Sequence, residues 1–193
     1  MSGCCRVIAP LITLVVLAVL IIVVVLSINL HDANLPPTFE VYSASINSLT
    51  VNTAELTADW NILLSTKNPN HGMRVYYEAT SFELFYKDIV LDKSTLPIFF
   101  TDKSATQVIN MKPSVVNKPL DASVANDIVL SRDEHGIVEF GLNISTSIRF
   151  KNNLLRSHDH KSLKVVCYPL KFVFNNATHA GTLSQGLTCR RVE

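Results

Sequence analysis

ADWNILLSTKNPN, residues 58–70, alternates apolar and polar side chains along most of its length and then reaches a turn. The apolar side of the alternation carries Ala58, Trp60, Ile62 and Leu64. A period of two predicts a β-strand with one buried face. Asn68-Pro69-Asn70 ends this strand, because proline cannot donate to a strand ladder and asparagine tolerates left-handed backbone.

The same period recurs downstream and predicts an all-β domain. Val75 and Tyr77 repeat it, and Phe82, Leu84 and Tyr86 repeat it again. Further strands are predicted at 97–101, 105–111, 125–130, 136–150 and 162–174. Seven or so short strands predict an antiparallel sandwich or barrel. A short helix within 115–130 is the alternative to the strand at 125–130.

The N-terminal part is apolar instead of alternating. Residues 7–26 carry no charge and span roughly 30 Å as a helix, about the thickness of a bilayer core. They predict a transmembrane signal-anchor helix at 7–30, with a cytosolic tail at 1–6, a linker at 31–37 and a β-sandwich domain at 38–193. A cleaved secretory signal and a buried core helix are the alternatives. Arg6 before the run places the N-terminus in the cytosol.

The cysteines fall into two pairs. Cys4 and Cys5 are adjacent before the apolar run and are candidates for palmitoylation, with two unmodified thiols as the alternative. Cys167 and Cys189 are the cysteines of the C-terminal part, and in an oxidising compartment we expect them to form a disulfide. Two separate buried thiols are the alternative.

Two sequons accompany this topology. Asn143-Ile144-Ser145 and Asn176-Ala177-Thr178 match the acceptor pattern for N-glycosylation. Asn176 follows an apolar run and is predicted at a turn. Asn143 falls in a predicted strand, so it is usable only if it faces outward.

Charge is uneven along the chain. Residues 35–148 hold 8 basic and 13 acidic side chains, net −5, whereas residues 149–193 hold 8 and 2, net +6. The second segment could form a basic surface toward anionic headgroups or acidic wall polysaccharide. The alternative, which we favour, is that the two segments neutralise each other across adjacent strands.

Motifs for catalysis are missing from the sequence. It contains no G-x-S-x-G, H-E-x-x-H or phosphate-binding G-x-x-x-x-G-K-[ST] pattern. His158-Asp159-His160 lies in a polar stretch at 156–162 that reads as an exposed loop, so we predict no metal and no cofactor. Near-zero net charge without a basic stripe disfavours nucleic-acid binding.

The residues carry a family resemblance. A membrane-helix-like N-terminus precedes Asn68-Pro69-Asn70, then Tyr76-Tyr77, then Pro97 and Phe99 in the pattern L-P-x-F. In this order the chain resembles the plant harpin-induced and non-race-specific disease resistance-like family, with its group 2 late embryogenesis abundant domain. The resemblance covers essentially the whole chain. It implies a sandwich of the immunoglobulin or fibronectin type III sort and no enzymatic activity.

Two functions are expected from these observations. The first is a non-catalytic protein of plant defence or stress response that links the plasma membrane to wall or membrane-protein partners; the endoplasmic reticulum membrane is the alternative location. The second is a module that binds or transfers a lipid or another small ligand. A filled core favours the first and a tunnel between the sheets favours the second. Trp60, Tyr77 and Phe99 are predicted to pack in the core or at a sheet edge. The sequence does not indicate an oligomeric state.

Overall fold

The computed structural model describes residues 3–31, 35–151, 156–175 and 178–192, and at 3–11, 28–31 and 156–159 it describes the backbone alone. These residues form two helices and twelve strands. The helices are α1 (Gly3–His31) and α2 (Ala122–Asp133). The strands are β1 (Thr38–Asn52), β2 (Glu55–Lys67), β3 (Arg74–Tyr86), β4 (Ile89–Thr95), β5 (Phe99–Thr101), β6 (Thr106–Met111), β7 (Ser114–Pro119), β8 (Ile137–Lys151), β9 (Arg156–Phe174), β10 (Gly181–Leu183), β11 (Leu187–Thr188) and β12 (Arg190–Val192).

The strands pair antiparallel in one continuous sheet. Its order is β4-β3-β8-β9-β10-β1-β2-β6, with β5 on β3, β7 on β2, β11 on β1 and β12 on β9. The short strand β10 joins the two halves, because it pairs with β9 on one side and with β1 on the other. The immunoglobulin-type sandwich implied by the resemblance has two separate sheets. The continuous hydrogen-bonded path through β10 departs from that arrangement.

The core lies where the two halves of the sheet face each other. Trp60 of β2 meets Phe140 of β8 edge to face, with ring centroids 5.5 Å apart. Phe39 of β1 meets Tyr77 of β3 in the same way at 5.9 Å. The predicted packing of Trp60 and Tyr77 in the core is confirmed, because 2% and 0% of their surfaces are exposed. Phe99 is partly buried and stacks on Tyr77 at 4.4 Å.

The Asn68-Pro69-Asn70 motif connects three parts of the domain. The amide of buried Asn68 donates to the carbonyls of Met73, at 2.7 Å, and Asp102, at 2.9 Å. Its Oδ1 accepts from the backbone N–H of Asn70 at 3.0 Å and from the Asn70 amide at 2.8 Å. Asn70 in turn bonds both backbone groups of Leu35, accepting at 3.0 Å and donating at 2.8 Å. The motif therefore ties the end of β2 to the start of the domain and to the loop after β5.

The prediction of a transmembrane helix at 7–30 is wrong. Helix α1 covers this range, but among the described residues no helix is long and apolar enough to cross a membrane. The same finding contradicts the predicted single-pass topology, the signal-anchor, and the location in the plasma membrane or the endoplasmic reticulum membrane.

Two local predictions are also wrong. Residues 125–130 were expected as a strand, but they lie in helix α2, which agrees with the alternative of a short helix. The helix buries Ala125, Ile128 and Arg132, whose Nη1 donates to the Leu49 carbonyl at 2.6 Å. The stretch at 156–162 was expected as a loop, but it forms the first part of strand β9.

Cys167 of β9 and Cys189, which precedes β12, form a disulfide. The two cysteines are 22 positions apart in the sequence, and the bond closes the loop between them. We expect Cys167→Ser/Cys189→Ser to lower the free energy of unfolding by about 3 kcal/mol, because the cross-link restricts the unfolded chain. Urea unfolding of the oxidised protein and the double variant measures the difference. Cys4→Ser/Cys5→Ser is the control and should unfold like the unchanged chain. Equal midpoints for all three proteins would contradict the expectation.

Candidate functional site

The solvent-facing side of β3, β8 and β9, called here the outer face, is a surface that these three paired long strands share. Alternation along each strand sends every second side chain to this face and the others to the core. The cross-strand register then sets the rows. Tyr76 stands beside Arg149, which stands beside His160, and Glu83 stands beside Asn143, which stands beside Val166.

One end of the outer face carries an aromatic–cation patch, made of Tyr76, Phe100, Arg74, Arg149 and Lys151. The rings of Tyr76 and Phe100 lie 5.6 Å apart, and 45% of the Phe100 surface is exposed. Arg149 and Lys151 lie over the Tyr76 ring at 5.4 and 5.8 Å, and Arg74 lies over the Phe100 ring at 5.6 Å. Such contacts hold cations next to exposed ring faces.

The other end carries a stacked groove, an open cavity of about 650 Å³ lined by Phe85, Lys87, Asp88, Val166, Tyr168 and Arg190. Phe85 and Tyr168 stack with centroids 6.0 Å apart and planes 24° from parallel, and 51% of the Tyr168 surface is exposed. Phe85 lies flat on the sheet because Gly141 is beneath it. A Cβ on Gly141 would stand 2.1 Å from the Phe85 ring.

Small polar side chains separate the two ends. Their positions on the outer face are Ser81 of β3, Ser145, Ser147 and Asn143 of β8, and Ser162 of β9. The charged side chains of Glu78, Glu83 and Lys164 stand among them on the same face. The outer face therefore has a polar and charged floor between two aromatic sites.

Ion pairs between strands neutralise part of the charge difference between residues 35–148 and residues 149–193. Arg149 pairs with Glu78 at 2.7 Å, and Lys171 pairs with Glu139 at 3.2 Å, each joining the basic segment to the acidic one. Lys151, Lys164 and Arg190 take part in no ion pair among the residues that the structure describes. These three cations leave the outer face and its β9 edge with unpaired positive charge.

A second polar cluster joins β3 to helix α2. Asp127 accepts a hydrogen bond from the Tyr86 hydroxyl and pairs with Lys87 at 2.6 Å. The Lys87 contact, followed by the Tyr86 hydroxyl, lowers the pKa of Asp127. Burial, followed by Asp127, raises the pKa of Tyr86. The cluster lies beside the stacked groove, since Lys87 lines both that groove and a cavity of about 270 Å³ next to α2.

We expect stability to fall at alkaline pH because of the buried tyrosines. Burial raises the pKa of Tyr77 above its ordinary value of 10.0, and Tyr86 shifts in the same direction. The unfolded chain then loses these protons from about pH 10 upward while the folded chain keeps them, so their contribution is complete below pH 10 and is lost above it. Unfolding free energy measured across this range should decline less steeply in Tyr77→Phe.

The control for that series is Tyr42→Phe, which changes an exposed ring. It should decline as steeply as the unchanged chain. If the Tyr77→Phe curve ran parallel to that of the control, the decline would not come from the buried Tyr77 hydroxyl. A lower stability of the variant at every pH would not matter for this test, because the variant also loses the contact between the Tyr77 hydroxyl and Thr66 at 2.8 Å.

The described residues contain no group of three or more His, Cys, Asp and Glu side chains that could hold a metal ion. His160 stands 3.5 Å from Glu78 at the patch end of the outer face. The outer face offers aromatic surface, guanidinium and ammonium groups, hydroxyls, and the carboxylates of Glu78 and Glu83.

The structure places the predicted site residues in separate regions. Asn143 lies half-buried in mid-β8 on the outer face, whereas Asn176 lies outside the described residues. Cys4 and Cys5 fall within α1, where side chains are not described. Tyr76 belongs to the outer face. Asn68, Pro69, Asn70, Tyr77 and Phe99 belong to the interior and its margin, and Pro97 is exposed between β4 and β5.

Comparison with known proteins adds little. No family model matches the chain, and no curated protein matches it in sequence. Among solved structures, the crystal structure of a protein from Archaeoglobus fulgidus is similar, with a TM-score of 0.38 and 9% sequence identity. The similarity covers 70% of this chain and 98% of that one. At that TM-score and identity, it bears on neither fold nor function.

Proposed function

We propose that the chain is a non-catalytic binding protein of plant defence or stress response that contacts a wall component or a membrane protein through its outer face. The setting and the absence of catalysis follow from the family resemblance of Asn68-Pro69-Asn70, Tyr76-Tyr77 and Phe99. The use of the outer face follows from the geometry of its side chains.

The observation that carries the proposal is the aromatic–cation patch. Tyr76 and Phe100 present ring surface to solvent, next to three cationic side chains. Binding surfaces of proteins are enriched in Tyr, Phe and Arg. The patch stands on paired strands, which hold its side chains in fixed positions, and sites on strands are more precise than sites on loops.

The packing of the core favours this proposal over transport of a lipid between the two halves of the sheet. A small-ligand site needs roughly 300–1,000 Å³ of concave space. In the described interior, the Phe140 ring contacts Trp60 at 5.5 Å and Phe172 at 5.7 Å. The cavities of comparable size, such as the stacked groove, open on the surface instead.

Proximity labelling in plant cells, before and after a defence elicitor, tests the proposal. The labelling enzyme is fused to the full chain, and three versions are compared: the unchanged chain, the patch variant Tyr76→Ser/Phe100→Ser, and the control Val108→Ser/Val116→Ser. The control removes exposed apolar side chains from β6 and β7, away from the outer face. We expect elicitation to change the labelled set for the unchanged and control chains, and the patch variant to lose that change.

Two other outcomes would contradict the proposal. A labelled set that is the same for the patch variant and the control, both folded and equally abundant, would mean that the outer face is not the contact surface. A labelled set that does not respond to elicitation in any version would remove the defence setting.

A further inference from the structure

The two aromatic sites of the outer face lie in line. Tyr76 and Phe85 are on the same strand, β3, nine positions apart. At about 3.3 Å per residue this separates the two rings by about 30 Å, which the bulge between Glu78 and Ser81 shortens slightly. The polar floor connects them, and its two carboxylates are paired, Glu83 with Lys93 and Glu78 with Arg149. The surface is thus a strip with an aromatic site at each end.

Each site combines a ring face with a cation. At the patch, Lys151 lies over Tyr76 and has no ion-pair partner among the described residues. At the stacked groove, Arg190 stands on β12 beside Val166. Lys164 stands opposite Ser145 on the floor between the two sites. A ring face packs against the apolar side of a flat ligand unit, whereas arginine and lysine bind carboxylates. The floor offers hydroxyls and an amide as hydrogen-bonding partners for hydroxyl groups.

We propose that the outer face binds a single linear polysaccharide that carries carboxylates, with the aromatic–cation patch and the stacked groove as its two end subsites. Sugar rings have an apolar side for stacking, hydroxyls for the polar floor, and, when they are uronic acids, carboxylates for the unpaired cations. The inference rests on the proposed function and names the chemistry of the partner.

Calorimetric titration of the full chain tests the inference with three probes of one sugar type. They are an unbranched polygalacturonate oligomer long enough to reach both subsites, the same oligomer as its methyl ester, and digalacturonate. We expect the acidic oligomer to bind at least about tenfold more tightly than either the ester or the disaccharide, because the ester lacks the charge and the disaccharide reaches one subsite.

Single variants show whether the two subsites act together. Tyr76→Ala and Phe85→Ala should each remove most of the advantage of the oligomer over the disaccharide, whereas Val116→Ala on β7 should keep it. Thermal unfolding of each variant confirms that it is folded. Equal affinity for acid and ester, no gain from length, or no effect of either variant would overturn the inference.

Two further probes separate this ligand from other anions. The probes are vesicles of phosphatidylserine and phosphatidylcholine, and dextran sulfate. If either binds as tightly as the acidic oligomer and responds to the same variants, the inference is overturned in favour of lipid headgroups or general polyanion binding. If the acidic oligomer fails to bind in the titrations while labelling in cells still depends on Tyr76 and Phe100, that result refutes this inference and leaves the proposed function standing. Labelling that does not depend on those residues would refute the proposed function.

Discussion

Asn68→Ala is expected to lower the free energy of unfolding by about 4 kcal/mol or more, the largest effect of any single polar substitution considered. The side chain is fully buried, donates to the carbonyls of Met73 and Asp102, and accepts from Asn70. Alanine leaves these groups without partners, and each buried polar group so left costs about 1–3 kcal/mol. Urea unfolding followed by tryptophan fluorescence measures the change, since Trp60 is the sole tryptophan.

Asn110→Ala provides the matched control. It removes the same side chain from an exposed position on β6, and we expect a change within about 0.5 kcal/mol. Asn68→Asp sharpens the comparison, because it keeps the acceptor and loses the donor. If Asn68→Ala unfolded at the same urea concentration as the control, the motif would not be the structural junction that its contacts indicate.

Trp60→Ala is expected to cost about 3–5 kcal/mol, because it empties the centre of the core against Phe140. Trp60→Phe should cost much less. The indole Nε1 is buried and has no hydrogen-bond partner among the described residues, so the smaller ring loses volume but no hydrogen bond. Thermal unfolding followed by circular dichroism compares the two variants without relying on tryptophan emission.

Leu130→Ala on α2 is the control for Trp60, because half of its surface is exposed and little packing is lost. The test depends on the order of stability, in which Trp60→Ala should be the least stable of the three variants. A Trp60→Phe protein as unstable as Trp60→Ala would indicate that the indole N–H contributes an interaction absent from the contacts described above.

Uninterrupted alternation of apolar and polar residues identified strand β2 from the sequence. Residues 58–64 in β2 keep a strict period of two, and their burial follows it. Strand β1 was missed because its register shifts twice, between Val41 and Ser43 and between Ile46 and Leu49. Each shift moves the apolar positions to the other parity, so no period persists along the strand. Helix α2 was ambiguous because its apolar residues form only a weak stripe.

The binding face was harder to predict than the core. Tyr76 was identified through the family motif, but Phe85, Phe100 and Tyr168 were not, although alternation alone places Phe85 opposite buried Leu84 and Tyr86. That placement was the available signal: an aromatic residue on the solvent side of a half-buried strand. The pairing of Phe85 with Tyr168 across Gly141 depends on the order β3-β8-β9, which no local pattern contains.

The continuous path through β10 has a consequence for behaviour at high concentration. Because β10 pairs with β9 and β1 together, strands in the middle of the path have neighbours on both sides, and among the described strands the ends of the path are bordered by β4 with β5 and by β6 with β7. Unpaired sheet borders are where identical molecules add to one another and aggregate. Here β4 carries Asp92 and Lys93, and β7 ends in Pro119, which offers no N–H to an incoming strand. These features oppose strand addition at β4 and β7, whereas β5 and β6 carry neither a charge nor a proline.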